Sequence, residues 1–329
     1  MYYLGVDGGG TKTEFMLIDE AGHILSFIKD STIDYKRIGR DKFETILKRS
    51  VNELCNHSDL NIDDLNYTFM GIPCFKDELV DQEIDIIKEI VENILGNKNY
   101  QLGNDAEAGW AGSLACNPGI NLVAGTGTIG FGKDERGNDA RASGWGHKLG
   151  DEGSAYWLGK NLLTLFTKES DGRKKRTIIY DLLSKELSLK NDYEIITLLE
   201  QEDINERKEI AELALILYEA AQQGDKEAIN LYKKAAFELS QTVSAIINKL
   251  SFQRETKIKV SYSGGVFNAG EYILNPLKEY LNDFNILLKE PVLKPVTGAA
   301  LYALLIDNND IGNKESILEN LIKEESYLD

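Results

Sequence analysis

The chain has 329 residues, 42% of them apolar, and its 37 basic and 54 acidic side chains give a formal net charge of −17, which argues against a nucleic-acid partner. Its length exceeds one ordinary domain of about 100 to 200 residues, so we expect two lobes. Its three cysteines and three histidines match no disulfide or metal-binding spacing. No apolar run approaches the roughly 18 residues of a membrane span, so we expect a cytoplasmic protein without a membrane partner.

The first 30 residues predict an antiparallel meander of three strands. Residues 2–7 have the pattern of a buried strand, Gly8-Gly9-Gly10 forms a sharp turn, and residues 12–18 alternate like a second strand. Asp19-Glu20-Ala21-Gly22 supplies hairpin turn chemistry before a third strand at 23–28.

Helical periodicity follows this meander. Two amphipathic helices are predicted near 41–56 and 76–95, and they enclose a strand at 66–71. A short strand at 100–103 then leads into a helix that starts around Asp105.

The opening pattern recurs at a constant offset, with strands predicted at 121–124 and 128–133. Gly10-Thr11 matches Gly125-Thr126, Thr13 matches Thr128, and the hairpin residues Asp19-Glu20 with Gly22 match Asp134-Glu135 with Gly137. A duplicated domain explains this agreement more simply than chance does.

The remainder is first helical and then mixed. Residues 151–250 have an almost wholly helical pattern, strands return at 257–263 and 286–289, and helices are predicted from Ala269 and Val296. We therefore predict an N-terminal lobe at 1–113, with a C-terminal helix of about 296–329 packing back on it. The second lobe spans 114–295 and contains a helical insertion at about 151–250.

Three glycine-rich loops are candidates for binding phosphate. Glycines in residues 7–13 permit positive φ and let backbone N–H groups converge on an anion, although a plain hairpin is the alternative. The loop is neither a Walker A motif nor a Rossmann fingerprint, because no glycine precedes Lys12 and a strand follows. Residues 125–128 repeat this chemistry, and residues 263–266 end a strand and open a helix. Together the loops favour two halves that clamp a polyphosphate.

These motifs, together with residues 144–157 (GWGHKLGDEGSAYW) and 221–225 (AQQGD), resemble the N-acetylglucosamine kinase branch of the BadF/BadG-type ATPases. The resemblance covers residues 4–305. It implies an α/β fold of two actin-like (ribonuclease H-like) lobes, built from a duplicated βββαβαβα unit, with a cleft between them.

The resemblance also implies an ATP-dependent amino-sugar kinase that uses Mg²⁺ and transfers phosphate to the 6-hydroxyl. N-acetylglucosamine is the expected substrate, N-acetylmuramic acid and glucosamine are further candidates, and a homodimer is left open. Asp105 is implied as the base and Asp7 as the residue that orients Mg²⁺ through water. The implied sugar-binding residues are Asp34, Asp105, Gly144, Trp145, Gly146 and Asp151. The implied ATP-binding residues are Gly9, Gly10, Thr11, Lys12, Thr13, Gly125, Thr126, Gly127, Thr128, Gly264, Gly265 and Asn268.

Several of these residues have alternative interpretations. Asp105 and Asp151 each stand where a helix N-cap is expected, and a helix N-terminus would also stabilise a basic carboxylate at Asp105. Trp145 is either a ligand surface or a core residue. Asp34 stands where the family usually has an asparagine. Lys36 and Arg37 either meet the lactyl carboxylate of N-acetylmuramic acid or lie in a solvated loop, and His147 is expected to be structural.

Two other functions compete with the kinase. An ATPase that activates an acyl-CoA dehydratase would carry a cysteine-ligated iron–sulfur cluster, for which Cys55, Cys74 and Cys116 lack the arrangement. A sugar sensor on the same fold has no need of a base, and the presence of Asp105 argues against it.

Overall fold

The computed structural model describes residues 1–75, 79–96, 99–200, 207–253, 256–308 and 313–328. The chain divides into two compact units, and the first is discontinuous. Unit 1 comprises Met1–Asn117 and Pro291–Asp329, and unit 2 comprises Pro118–Glu290. The boundaries predicted from the sequence were 113/114 and 295/296.

Unit 1 is built on a five-stranded mixed sheet. Its strands are β1 (Tyr2–Gly8), β2 (Lys12–Asp19), β3 (Ile24–Ser31), β4 (Leu65–Ile72) and β5 (Tyr100–Asn104). The spatial order is β3-β2-β1-β4-β5. The first three strands pair antiparallel, as the turn chemistry of the meander predicts, whereas β4 and β5 run parallel to β1.

Three helices connect or follow these strands, namely α1 (Tyr35–His57), α2 (Asp81–Leu95) and α3 (Asp105–Leu114). The helix predicted at 41–56 is longer at its start, because a separate first turn precedes Gly39, whose φ of 74° interrupts α1. The predicted start of the second helix at Lys76 lies outside the described residues. Apolar side chains of α1 and α2, such as Phe43, Leu47 and Val91, form one core of unit 1.

Unit 2 repeats the sheet of unit 1. Its strands are β6 (Gly119–Ala124), β7 (Thr128–Lys133), β8 (Asp139–Ser143), β9 (Ile258–Ser263) and β10 (Ile286–Lys289). The spatial order is β10-β9-β6-β7-β8, with the same parallel and antiparallel pairings as in unit 1. This agreement confirms the predicted α/β class and its two duplicated lobes.

Helices fill the interval between β8 and β9. They are α4 (Ala155–Ser170), α5 (Ile178–Glu186), α6 (Glu194–Glu200), α7 (Arg207–Glu212), α8 (Ala214–Gln222) and α9 (Lys226–Lys249). A 3-10 turn at Gly265–Ala269 and α10 (Glu271–Tyr280) follow β9. Leu158, Leu217, Leu239 and Ile246 are fully buried in one core with residues of the sheet.

The last two helices return the chain to unit 1. They are α11 (Pro295–Asp307) and α12 (Lys314–Glu325). Proline suits the first position of α11, where its missing N–H has no helical partner. Residues 296–301, 303 and 304 of this helix are buried. Two acidic side chains hold α12 in place, because Glu324 accepts the Ile24 N–H at 2.6 Å and Glu325 accepts the Lys294 N–H at 2.9 Å.

Long apolar helices are absent from the described ranges, where no helix meets the length and hydropathy needed to cross a membrane.

The docking of α12 gives a testable prediction for stability. Leu321 is fully buried in a hydrophobic core that it shares with apolar side chains of α11, whereas its neighbour Ile322 is 44% exposed. Truncating a buried leucine removes apolar contact and leaves a cavity, so Leu321→Ala should lower the free energy of unfolding by about 2 to 5 kcal/mol. Urea unfolding measures this change. Ile322→Ala is the matched control, and an equal loss in both variants would show that α12 does not contribute to the core of unit 1.

Candidate functional site

The polar residues of unit 1 gather at the carboxyl ends of its parallel strands. Asp7 in β1 pairs with Gly71 in β4, and Gly71 pairs with Gly103 in β5. Asp105 follows β5 directly as the first residue of α3. Because ligands of α/β sheets bind beyond the carboxyl ends of the strands, this edge is a candidate ligand site.

Asp105 is not the N-cap of α3. Asn104 occupies that position, and its side chain accepts the Ala106 N–H at 3.0 Å. One oxygen of Asp105 accepts the same N–H at 2.9 Å. The N-cap interpretation is therefore wrong, because the preceding asparagine performs the capping. The carboxylate still lies at a helix N-terminus, where the helix dipole favours its charged form.

Asp7 carries an unusual proton affinity. The pKa of its carboxyl is raised from 3.8 to about 7, chiefly by burial and then by the negative charges of Asp105 and Glu14, while Lys12 acts in the opposite direction. A bound cation would reduce the repulsion between these two carboxylates and favour the charged form of Asp7.

The same carboxylates fit magnesium held mainly through water. Among the described residues, no group of three or more His, Cys, Asp or Glu side chains is placed to hold a metal ion. Mg²⁺ commonly keeps several waters and binds one or two carboxylates together with substrate phosphates. Asp7 therefore suits the predicted indirect role, which stays a prediction.

The first glycine-rich loop is held by hydrogen bonds from the segment before α1. The Gly9 N–H donates to the Lys12 carbonyl at 2.8 Å, and the Thr32 hydroxyl donates to the Gly9 carbonyl at 2.7 Å. Thr13 is buried and its hydroxyl accepts the Ile33 N–H at 3.0 Å. The turn itself is open to ligands, because Gly10 and Thr11 are exposed. Lys12 is ion-paired with Glu14 at 2.7 Å.

Asp34 is the most distinctive candidate for a sugar ligand in unit 1. Its side chain is only 7% exposed and makes no capping bond at the start of α1. Within the described residues its Oδ1 atom is buried without a hydrogen-bond partner. A buried carboxylate oxygen without a hydrogen-bond partner destabilises the folded state unless a ligand donates to it.

The two cations beside Asp34 have partners of their own. Lys36 pairs with Glu83 at 2.7 Å, and Arg37 donates to the Gly10 carbonyl. Both side chains are exposed, as the solvated interpretation predicts, but they lie in the first turn of α1 and not in a loop.

Unit 2 contains a pocket of about 410 Å³ at the second and third glycine-rich loops. Four predicted ATP-binding residues line it, namely Gly125, Thr126, Gly265 and Asn268. The structure thus brings together two loops that lie far apart in the sequence.

Side chains that sequence reasoning missed complete this pocket. They come from the helical region, and they include Leu158, Lys208, Ala211, Glu212, Leu215, Tyr218 and Tyr232. Tyr218 lies just before the AQQGD motif that the sequence singled out, which was the one available signal. The lining is apolar with a few polar groups, as is typical of a nucleoside site.

Asp151 supports the second glycine-rich loop. The helix that follows is capped by Ser154, whose hydroxyl accepts the Trp157 N–H at 3.1 Å, so the N-cap interpretation of Asp151 is wrong. Asp151 instead accepts the Thr128 N–H at 3.2 Å and pairs with Arg207 at 2.5 Å. Its predicted contact with sugar stays a prediction.

Trp145 is a surface residue and not part of a core. Its side chain is 74% exposed, between Gly144 and Gly146, which both adopt positive φ. The carbonyl of Gly146 accepts the Gly150 N–H at 2.8 Å, which closes a turn over residues 146–150. His147 packs edge-on against Tyr156 with ring centroids 5.2 Å apart, which agrees with a structural role.

Comparison with known proteins places the chain among nucleotide-using enzymes. The model of the BadF/BadG/BcrA/BcrD ATPase family matches residues 4–303. An N-acetylmuramic acid/N-acetylglucosamine kinase from Clostridium acetobutylicum is 30% identical over 295 residues, which are 85% of this chain and 90% of the relative. An N-acetyl-D-glucosamine kinase from Dictyostelium discoideum is 28% identical over 313 residues, with 92% and 97% covered.

A solved structure supports the fold independently. The ROK hexokinase from Thermus thermophilus superposes with a TM-score of 0.61 at 17% identity, covering 94% of this chain and all of the hexokinase chain. At that identity the likeness concerns the fold alone.

The raised pKa of Asp7 predicts how stability depends on pH. Because its folded pKa of about 7 exceeds the ordinary 3.8, protonation favours the folded state, and the unfavourable contribution of the charged carboxylate grows between about pH 4 and 7. Asp7→Asn removes that contribution. In the absence of ligand, the variant should be more stable than the wild type. This difference in unfolding free energy should grow by about 1 to 3 kcal/mol as the pH rises from 5 to 8.

Denaturant unfolding at each pH measures this difference. Asp85→Asn is the control, because Asp85 is an exposed carboxylate of unit 1 that pairs only weakly with Lys88. A gain for Asp7→Asn that does not change with pH would contradict the proposed protonation of Asp7.

Proposed function

The chain belongs to the BadF/BadG/BcrA/BcrD ATPase family, and from this premise we propose that it is an ATP-dependent kinase of N-acetylated amino sugars, with N-acetylglucosamine as its preferred substrate. The resemblance read from the sequence motifs is thereby confirmed at the level of the family. The two kinases that match most of the chain are named for such sugars, and they supply the substrate class of the proposal.

The observation that carries the proposal is the position of Asp105. It stands at a strand end, as the first residue of a helix that Asn104 already caps. At this helix N-terminus the dipole favours a charged carboxylate, and we assign Asp105 the role of the general base that takes the proton of the sugar hydroxyl. The hydroxyl oxygen then forms a bond to the γ-phosphorus, the bond from that phosphorus to the bridging oxygen breaks, and ADP leaves.

The nucleotide is assigned to unit 2. Its apolar pocket, with Leu215, Tyr218 and Val266 in the lining, suits an adenine ring. Thr126 and Thr128 lie in the loop next to it, and the hydroxyl of Thr128 is buried without a partner among the described residues. Hydroxyl and backbone N–H donors of this kind bind phosphate oxygens.

Mg²⁺ would be oriented through water by Asp7 and would neutralise charge on the transferred phosphoryl group. The predicted contacts of Gly9, Gly10 and Thr11 in the neighbouring turn are part of the same proposal.

The sugar is assigned to Asp34, Asp105, Trp145 with its flanking glycines, and Asp151. Asp34 offers a buried oxygen that a sugar hydroxyl can satisfy, and the exposed indole of Trp145 offers an apolar surface for the acetyl methyl group. We assign the transferred group to the 6-hydroxyl, in keeping with the resemblance.

N-acetylglucosamine is preferred here over N-acetylmuramic acid for an electrostatic reason. The lactyl carboxylate of the latter sugar needs a cation, and the two cations next to Asp34 are engaged by Glu83 and by the Gly10 carbonyl. A lactyl group bound there would compete with Glu83 for the Lys36 ammonium.

The activator of an acyl-CoA dehydratase remains the second candidate, and the cysteines argue against it. Burial raises the pKa of Cys55 to about 11, which disfavours the thiolate that a cluster needs. Cys116 points its sulfur at the carbonyls of Ala111 and Gly298.

The first prediction of this proposal concerns substrate choice. ATP consumption should be measured against glucose, glucosamine, N-acetylglucosamine, N-acetylmannosamine and N-acetylmuramic acid, with the sugar phosphate identified by mass spectrometry. N-acetylglucosamine should have the highest kcat/KM. Because one apolar contact is worth about 1 to 3 kcal/mol, its advantage over glucose should be about 10- to 200-fold. Equal or better turnover of glucose would contradict the amino-sugar assignment.

The second prediction concerns the base. Asp105→Asn keeps the size of the side chain but removes its basicity, so kcat should fall by at least about a hundredfold, with ATP binding and stability nearly unchanged. Asp41→Asn, on the exposed surface of α1, is the control and should keep full activity. A variant at position 105 that retained more than about a tenth of the wild-type kcat would place the base elsewhere.

A further inference from the structure

One cation of unit 2 lies directly against the second glycine-rich loop. Arg207, the first residue of α7, pairs with Asp151 through Nη2 at 2.5 Å. The same nitrogen lies so close to Gly127 that a Cβ added at this glycine would clash with it. The guanidinium therefore packs against the loop backbone at Gly127, and a side chain at this position would displace it.

Asp151 fixes this guanidinium in place. The carboxylate is only 2% exposed, and its backbone adopts a left-handed φ of 61°. One oxygen accepts the Thr128 N–H and the other accepts from Arg207. A buried carboxylate needs such partners, since leaving its charge unpaired in the interior is costly. The side chain thus joins the loop backbone to the cation.

The loop has hydrogen-bonding capacity that the described protein residues do not use. The Nε–H of Arg207 and the hydroxyl of Thr128 are both buried without a partner in that part of the chain. A guanidinium has five N–H donors in a planar fork that matches phosphate oxygens. These two buried groups lie beside the second glycine-rich loop, and one of them belongs to a cation. Together they indicate that the ligand of this loop is an anion.

Helix α7 also reaches the nucleoside end of the same site. Lys208, Ala211 and Glu212 line the pocket together with Thr126. One short helix therefore contributes both to the apolar pocket and to the loop that adjoins it, and a nucleotide bound in the pocket would extend its phosphates toward Arg207.

We propose that Arg207 is a phosphate-binding residue of the kinase, held by Asp151 to contact the β- and γ-phosphoryl oxygens of ATP. This inference rests on the proposed function. As the bond between the γ-phosphorus and the bridging oxygen breaks, negative charge moves onto the β-phosphate of the departing ADP, and the guanidinium neutralises it. Lysine is a weaker substitute, because it lacks the planar fork.

Calorimetric titration with ATP and with adenosine separates phosphate contacts from nucleoside contacts. Arg207→Ala should lower the affinity for ATP about ten- to hundredfold, as expected for a lost charged hydrogen bond, and change the affinity for adenosine less than about threefold. Arg207→Lys should fall between this variant and the wild type. Arg136→Ala, an exposed arginine of the β7–β8 turn, is the matched control and should bind both ligands normally.

A double variant guards against loss of folding. Arg207→Ala leaves Asp151 buried and unpaired, whereas Asp151→Asn combined with Arg207→Ala removes both charges, and it should show the same selective loss of ATP affinity. Unchanged ATP affinity in both variants, or an equal loss for ATP and adenosine, would overturn the proposal. Wild-type protein that binds ATP but phosphorylates no sugar would contradict the proposed function while leaving the test of Arg207 intact.

Discussion

Unit 1 depends on the close packing of α11 against α3. The chain leaves this unit after Asn117 and returns at Pro291, and the returning helix contacts α3 so closely that a Cβ on Gly298 would clash with the backbone of Gly112. Leu293 donates to the Gly112 carbonyl at 3.1 Å, which fixes the approach. Because Asp105 is the first residue of α3, the position of the proposed base is set by a segment near the other end of the chain.

The duplicated sheets have diverged in the charges that they present. Unit 1 places Asp7 near the end of β1 and Asp105 directly after β5, with β4 between the two strands, and the charge of Asp105 adds to burial in raising the pKa of Asp7. Unit 2 pairs its buried Asp151 with Arg207 beside the second glycine-rich loop. The first arrangement suits a cation and the second suits an anion.

The sequence predicted the strands well because their signals are local. Alternating and apolar runs bounded by turn residues identified most strands, and the offset between repeats identified the duplication. The strand β8, Asp139–Ser143, was missed because its charged and small residues have weak β-propensity and it is held by pairing with β7. The first helix was predicted to start late because Gly39 interrupts it.

The chemistry of the site could be predicted only in part. Residue type suggested Asp105 and Asp151 as caps, yet the neighbouring Asn104 and Ser154 perform that function. Arg207 is 56 residues from Asp151, and no local pattern announces such a pair. The pocket side chains of α7 and α8 come together only through helix packing, which periodicity alone does not specify.

The central claim, that the nucleotide and the sugar are assigned to different sets of loops, is tested most directly by hydrogen–deuterium exchange with each ligand added alone. We expect ATP with Mg²⁺ to protect amides at 125–128, 207–218 and 264–269, and N-acetylglucosamine to protect amides at 104–107 and 144–150. Protection of 207–218 by the sugar alone, or no protection of 125–128 by ATP, would contradict the assignment.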